Sequence, residues 1–349
     1  MLADIRYLCY LCHEETIRTY YSINYKNINQ NGMADKTVSV VMATYNGEKY
    51  IREQLDSIIA QTYPIYELII QDDGSRDRTM EICQEYAKRY TFIHIYQNEH
   101  NLGCDKNFET AAMRATGDFV ALSDQDDIWF KDKIAKQVAA IGDNDACGSQ
   151  HTRGKTMEAS HLIDPQHLLE GLMFCAFAGH SLLLRRDFIQ QSSTWSLPVA
   201  FDWGIEVNAQ LGRGLTMMEE PLNWHRDNED SACHVTNRKR GVSDKKERLR
   251  PYFRGFANYR RLQQKPAWKT FYSYIYEHSA DKPRLALAHR LSGYMLSTSL
   301  PSLLKLCLLC MKHGENVYAG KGQKGLIGKV RALCYPFIFA YQNYNFEQQ

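Results

Sequence analysis

Asp124-Gln125-Asp126-Asp127 is the first part of this 349-residue chain that could do chemistry. Carboxylates so close together raise each other's pKa unless a cation relieves the repulsion. Two of them separated by one residue suit a hard divalent ion with oxygen ligands, which takes phosphate oxygens at its open positions. Thr44-Tyr45-Asn46-Gly47 and Asp72-Asp73-Gly74-Ser75 carry related polar groups. One D-x-D is short, common and usually a charged turn. Three such clusters in register would be a site.

The elements around them supply that register. Val38-Ser39-Val40-Val41-Met42-Ala43, Leu68-Ile69-Ile70 and Asp118 to Leu122 are apolar runs of strand length, and each ends in one of the three clusters. Phe92 to Tyr96 is a further strand. Between them, Ile51, Leu55, Ile58 and Ile59 mark one face of a helix. Further helices are predicted from about Arg78 to Tyr90, with Asp77 or Ser75 as the cap, and from Lys106 to Arg114. Strand and helix alternate as in βαβ units of a mainly parallel sheet, where ligands bind beyond the carboxyl ends of the strands. That gathers the acidic groups on one rim.

The rest of the chain is less regular. Residues 143–167 read as a polar loop, Gly179 to Leu184 as a strand, and Phe201-Asp202-Trp203 as the start of a helix. Between Arg238 and Lys265 eleven basic residues face two acidic ones, which marks a boundary near residue 236. Beyond it, Leu285 to Leu287, Leu300 to Met311 and Leu326 to Phe339 suggest helices, with Pro301 and Pro336 as breakers. Residues 1–32, rich in Tyr and Asn, read as a loose or spurious extension before Met33. Their Cys9-Tyr10-Leu11-Cys12-His13 matches a haem-attachment pattern by chance. The expected organisation is an extension over 1–32, an α/β domain over 33–235, and a basic helical region over 236–349.

Composition narrows the class. A net charge of +2 gives no reason to expect nucleic-acid binding, and 44% hydrophobic with 23% charged residues is ordinary for a globular protein. Ten scattered cysteines fit a reducing cytosol better than a disulfide framework, and no apolar run is long enough to span a membrane.

Segment 38–133 resembles the nucleotide-sugar-binding half of inverting glycosyltransferases of family two, which have the GT-A fold. The likeness rests on Val40 to Gly47, Gln61-Thr62-Tyr63, Glu67 to Ser75, Asn101-Leu102-Gly103, Ala115 to Val120 and Ser123 to Trp129, in that order and spacing. Asp124-Gln125-Asp126-Asp127-Ile128-Trp129 looks most like enzymes adding rhamnose or galactose to bacterial surface polysaccharides. The resemblance implies a Rossmann-like sheet with flanking helices, an NDP-sugar donor (UDP- or dTDP-linked), and Mn²⁺ or Mg²⁺. It implies that Ala43, Thr44 and Tyr45 border the base and ribose, and that Asp72 accepts from the pyrimidine imide. Asp124 and Gln125 would line the donor, and Asp126, with Asp124, would hold the metal.

The second half matches the family less closely. Gly179-His180-Ser181 and Phe201-Asp202-Trp203 stand where the family has a strand and then a general base, so Asp202 would deprotonate the acceptor hydroxyl, with Glu206 as runner-up. Asn228 stands near the family's usual histidine and His225 precedes Arg226, so neither has an assigned role. The strand and acidic turn that usually follow the metal motif are missing from 143–170. A non-catalytic homologue and a sugar nucleotidyltransferase are the alternative readings; the latter would need a Gly-rich, Arg-containing loop after strand one. The expected acceptor is a glycan or lipid-linked glycan, met in the cytoplasm or at the inner face of its membrane. Peripheral membrane contact would come through the basic C-terminal region.

Overall fold

The computed structural model describes residues 36–163, 165–175, 178–228, 250–318, 325–342 and Phe346. The extension over 1–32, its cysteine motif and most of the basic run after Arg238 lie outside the described residues.

The first half alternates as its sequence pattern requires. Strands β1 (Val38–Thr44), β2 (Glu67–Asp72), β3 (Ile93–Gln97) and β4 (Phe119–Ser123) are separated by helices α1 (Ile51–Ile59), α2 (Thr79–Arg89) and α3 (Cys104–Arg114). β1 pairs in parallel with β2 and β4, and β2 with β3. Helices cover both faces of these strands, so β1 is buried almost continuously, and its side chains divide by parity. Val38, Val40 and Met42 pack with α1 and α2, while Val41 packs with α3. Asp77 tightens the start of α2 by accepting from the Thr79 N–H at 3.0 Å.

Antiparallel pairing enters beyond β4. The short β5 (Ile128–Trp129) and helix α4 (Lys133–Ala140) lead to β6 (Ala146–Gly154), β7 (His161–Ile163), β8 (Leu182–Arg185), helix α5 (Phe201–Leu211) and β9 (Leu215–Arg226). The nine-stranded sheet runs β3-β2-β1-β4-β8-β6-β9-β5, with β7 on β6. The stretch 143–167 therefore holds two strands and is no loop, and a strand does follow the acidic motif. β6 lacks apolar alternation because it is an interior strand: β8 and β9 satisfy its backbone, and Ser149, Gln150 and His151 turn polar side chains into the molecule. β8 begins at Leu182, and Gly179–Ser181 is a 3₁₀ turn ahead of it.

Helices α6 (Arg250–Leu262), α7 (Pro266–Ser279), α8 (Ala286–Leu296), α9 (Leu300–Lys312), α10 (Gly325–Leu333) and α11 (Tyr335–Gln342) complete the described chain. Pro301 sits in the first turn of α9, where its missing N–H costs nothing, so it opens a helix. These helices share one apolar core with α3, α5 and one face of the sheet. Trp203 of α5 is fully buried there against Phe271, Phe339 and Phe346. Burying a side chain of that size stabilises by roughly 3 kcal/mol.

Candidate active site

Parallel pairing of β1 with β2 and β4 brings Thr44, Asp72 and Ser123 to one rim. There Asp72 is fully buried and accepts five hydrogen bonds: from the Thr44 and Ser75 hydroxyls, the Gly74 and Ser75 N–H groups, and the Gln97 amide. Asp73 turns the other way and accepts from Leu102 N–H, Gly103 N–H and Asn98 Nδ2. A carboxylate has about four lone-pair directions, so Asp72 is saturated within the protein and Asp73 nearly so. They brace the loops.

The loop after β1 is laced to its neighbours in the same way. Asn46 takes a left-handed φ of 49°, which asparagine tolerates, donates its N–H to Ser75 Oγ at 2.8 Å and accepts from the Arg76 N–H at 2.9 Å. Gln125 reaches back from the acidic run, accepting from the Tyr45 N–H at 2.9 Å and donating to the Tyr45 carbonyl at 3.0 Å. The Gln125 amide lies so close to Gly47 that any Cβ there would strike it. Ala43 is half-buried, Thr44 is buried and Tyr45 is exposed on the rim.

The acidic run divides. Asp124 and Asp126 are partly exposed, whereas Asp127 is fully buried. One Asp127 oxygen meets His225 Nδ1 at 2.9 Å and the other meets His180 Nδ1 at 3.1 Å. The two rings stack with centroids 4.8 Å apart, and His151 packs edge-on to His180 at 4.8 Å. Burial disfavours a charged His225, but its hydrogen bond to Asp127 and the charges of Asp127 and Asp124 outweigh that and push it up to about 9. Burial, with the charge of His225 beside them, drives His180 well below the ordinary range and His151 down to about 3. Burial also pushes Lys133 down to about 7; its Nζ donates to Gln137 at 2.9 Å.

One histidine atom has two claims on it. Asn223 Nδ2 lies 2.7 Å from His180 Nδ1, so that nitrogen cannot accept from Asn223 and donate to Asp127 at once. His180 Nε2 and Asn223 Oδ1 are buried without a partner. Asp124, Asp127, His180 and His225 each offer a ligand atom, all within 4.8 Å of one another. Two carboxylates and two imidazoles fit a divalent cation of the mixed oxygen and nitrogen type. Burial first, then the charges of Asp127 and Asp126, raise the Asp124 carboxyl well above the ordinary range, a repulsion that a bound cation would relieve.

Asp126 stands beside this set, and is not one of the four. Its carboxylate accepts from Asn228 Nδ2 at 3.3 Å, and its carbonyl accepts from Arg226 Nε at 3.0 Å. Arg226 also donates to Glu53 at 2.6 Å and lies over the rings of Tyr50 and Trp224. The unassigned pair thus divides: His225 serves Asp127, and Asn228 serves Asp126.

Asp202 lies in the first turn of α5, between Phe201 and the buried Trp203. Phe201 stacks on Phe108 at 4.9 Å, and a Cβ at Gly179 would press on the Phe201 ring at 3.1 Å. Burial pushes the Asp202 carboxyl up to about 7, against the Trp203 N–H that lowers it; the charge of Asp105 adds to the rise. Its own charge in turn raises Asp124, so Asp202 and the acidic rim are neighbours. One turn on, both oxygens of Glu206 are buried without a partner, and burial raises that carboxyl well above the ordinary range.

The structure brings Ala43, Thr44, Tyr45, Asp72, Gln125, Asp124, Asp126 and Asp202 to one end of the sheet, and adds Asp127, His151, His180 and Lys133. The added groups come from a loop, a strand, a 3₁₀ turn and a helix, so no local spacing announces them. Asp127 was visible as the last acid of the run.

The chain is similar to known proteins. Residues 39–200 match the family described as Glycosyl transferase family 2. The dTDP-rhamnosyl transferase RfbG of Shigella flexneri is 41% identical over 110 residues, covering 30% of this chain and 38% of RfbG. WfgD of Escherichia coli, a UDP-Glc:alpha-D-GlcNAc-diphosphoundecaprenol beta-1,3-glucosyltransferase, is 35% identical over 109 residues, covering 31% of this chain and 42% of WfgD. The chain thus aligns with about two fifths of the length of these curated relatives. Among solved structures, the mannosyltransferase PcManGT of Pyrobaculum calidifontis, in complex with GDP-Man and Mn²⁺, superposes with a TM-score of 0.51 at 15% identity over 100% of both chains. The fold is therefore the GT-A fold, and residues 39–200 of this chain match glycosyl transferase family 2.

Proposed function

We propose that this protein is a metal-dependent inverting glycosyltransferase that moves a sugar from a nucleoside diphosphate to an acceptor hydroxyl. The observation that carries the reading is a raised carboxyl, Asp202, next to an acid-lined rim at the ends of three parallel strands. A base with a pKa near the working pH suits proton abstraction best. The Asp202 carboxylate takes the acceptor's proton as the acceptor oxygen bonds to the anomeric carbon. The bond from that carbon to the diphosphate breaks from the opposite face, and its electron pair leaves with the nucleoside diphosphate.

A divalent cation held by Asp124, Asp127, His225 and His180, with Asp126 alongside, would neutralise charge on the departing diphosphate. Ala43, Thr44, Tyr45 and Gln125 border the nucleoside. Asp72 serves a pyrimidine by exchanging one of its protein donors, Gln97 or Ser75, for the imide N–H. The dTDP- and UDP-sugar activities in the names of RfbG and WfgD support a pyrimidine donor, and WfgD's name supports a lipid-linked glycan acceptor in surface-polysaccharide synthesis.

Screening a panel of nucleotide sugars with Mn²⁺ or Mg²⁺ for nucleoside diphosphate release tests the proposal. Release from a UDP- or dTDP-sugar that a chelator abolishes is the expected result. No release from any donor, or full release by Asp202→Asn when an acceptor is supplied, would overturn it.

A further inference from the structure

We propose that α9 and α10 form a docking surface for an anionic lipid bilayer. α9 turns Leu303, Leu306, Cys307 and Cys310 into the protein and leaves Leu300, Leu304, Leu308 and Met311 facing solvent. Those positions follow i, i+4, i+8 and i+11, one stripe down the helix. Leu300 and Leu304 are 67% and 60% exposed. The neighbouring α10 buries its small residues, Gly328 and Ala332, and exposes Leu326 and Ile327 at 79% and 71%, with Val330 beside them. A surface helix ordinarily turns its large apolar side chains inward. Here two adjacent helices also present them to solvent.

Charge decides the occupant. Lys305, Lys312, Lys329 and Arg331 are exposed on the same two helices, and across residues 300–318 and 325–342 the sole acidic side chain is Glu315. An apolar stripe edged with cations matches the boundary between acyl chains and anionic headgroups. A second copy of the chain is a poor occupant: a twofold interface would set this basic surface against itself, and like charges oppose such a contact. Neither helix can cross a bilayer. They have 13 and 9 residues, and among the described residues no helix is long and apolar enough to span. The geometry calls for helices lying in the interface plane.

Co-sedimentation of the full chain with vesicles tests this, independently of any sugar transfer. Phosphatidylglycerol-containing vesicles should carry the protein down at low salt, and pure phosphatidylcholine vesicles should carry far less. Each basic side chain near an anionic surface is worth about fivefold in partitioning, so Lys305→Gln/Lys312→Gln should bind on the order of twentyfold more weakly. Leu304→Glu/Leu308→Glu and Leu326→Asn/Ile327→Asn should abolish sedimentation while keeping the melting temperature, because all four side chains are exposed. Light scattering on the same samples reports self-association. Protein left in the supernatant with anionic vesicles at low salt overturns the proposal. So does undiminished binding by the apolar variants, or a dimer in solution that those variants dissociate. Donor hydrolysis without vesicles should be the same in all variants, which separates failure here from failure of the glycosyltransferase reading.

Discussion

The two halves of the sheet treat their polar groups in opposite ways. Around β1, β2 and β4, Asp72, Asp73, Asn46 and Gln125 are hydrogen-bonded to neighbouring loops. Around β6, β8, α5 and β9, His151 Nδ1, His180 Nε2, Asn223 Oδ1 and both Glu206 oxygens are buried with no partner. Leaving a buried polar atom unpaired costs about 1–3 kcal/mol, so such atoms concentrate where something else binds or where strain is stored. The first half is a finished scaffold. The second holds the unmet valences.

Substitutions in the two halves should therefore fail differently. Asp202→Asn should lower transfer about 10³-fold with the melting temperature and nucleotide affinity unchanged. In the native enzyme kcat/KM should climb with pH through about 7, because Asp202 must be ionised to take a proton, and the variant should lose that limb. A pH profile that survives the substitution would assign the base elsewhere.

Asp127→Ala should be the most damaging change to stability. It leaves His180 and His225 with no carboxylate between them and should cost about 3–5 kcal/mol, read by urea titration. Mn²⁺ binding, followed by the loss of the free-ion EPR signal, should weaken in this variant more than in Asp126→Ala. An equal loss in the two variants would return Asp126 to the ligand set.

In the scaffold half, Asp72→Ala strands five donors and should cost about 3 kcal/mol. Uridine or thymidine diphosphate with Mn²⁺ should raise the melting temperature of the native protein. A larger shift with guanosine diphosphate would contradict the pyrimidine reading of Asp72.

The smallest effect is the sharpest test. Glu206→Met removes an unpaired buried carboxyl and should raise stability by about 1–2 kcal/mol at neutral pH. The sign follows from its raised folded pKa: the neutral carboxyl's contribution is complete below its ordinary pKa of about 4.3 and fades as pH rises towards the raised value. The variant should flatten that fall. A destabilised Glu206→Met would mean that the two halves do not differ as described.

The same contrast explains what the sequence could disclose. Strands β1, β2 and β4 announce themselves because they are apolar on both faces and end in polar clusters, so the rim and its acids are legible. β6 is silent: Gly148-Ser149-Gln150-His151-Thr152 has neither apolar alternation nor a turn signal, because its interior place in the sheet supplies what side chains usually must. The histidines are silent for another reason. His151, His180 and His225 lie far apart along the chain and meet only because β6 pairs with β9 and packs beside the turn before β8. Asp202 could be named only through the family resemblance, since an acid at a helix start is ordinarily a cap.

Trp203 gives the C-terminal helices a say in the chemistry. The residue after the proposed base is clamped between Phe271, Phe339 and Phe346, which come from α7, α11 and the last described turn. Whatever shifts those aromatic rings shifts the first turn of α5. A graft that exchanged only the helices following β9 would thus retune where the acceptor's proton is collected, without altering one residue of the donor rim. The placement of the proposed base is in this sense set from both sides of β9, and cutting the chain after β9 would leave Trp203 without the surface that holds it.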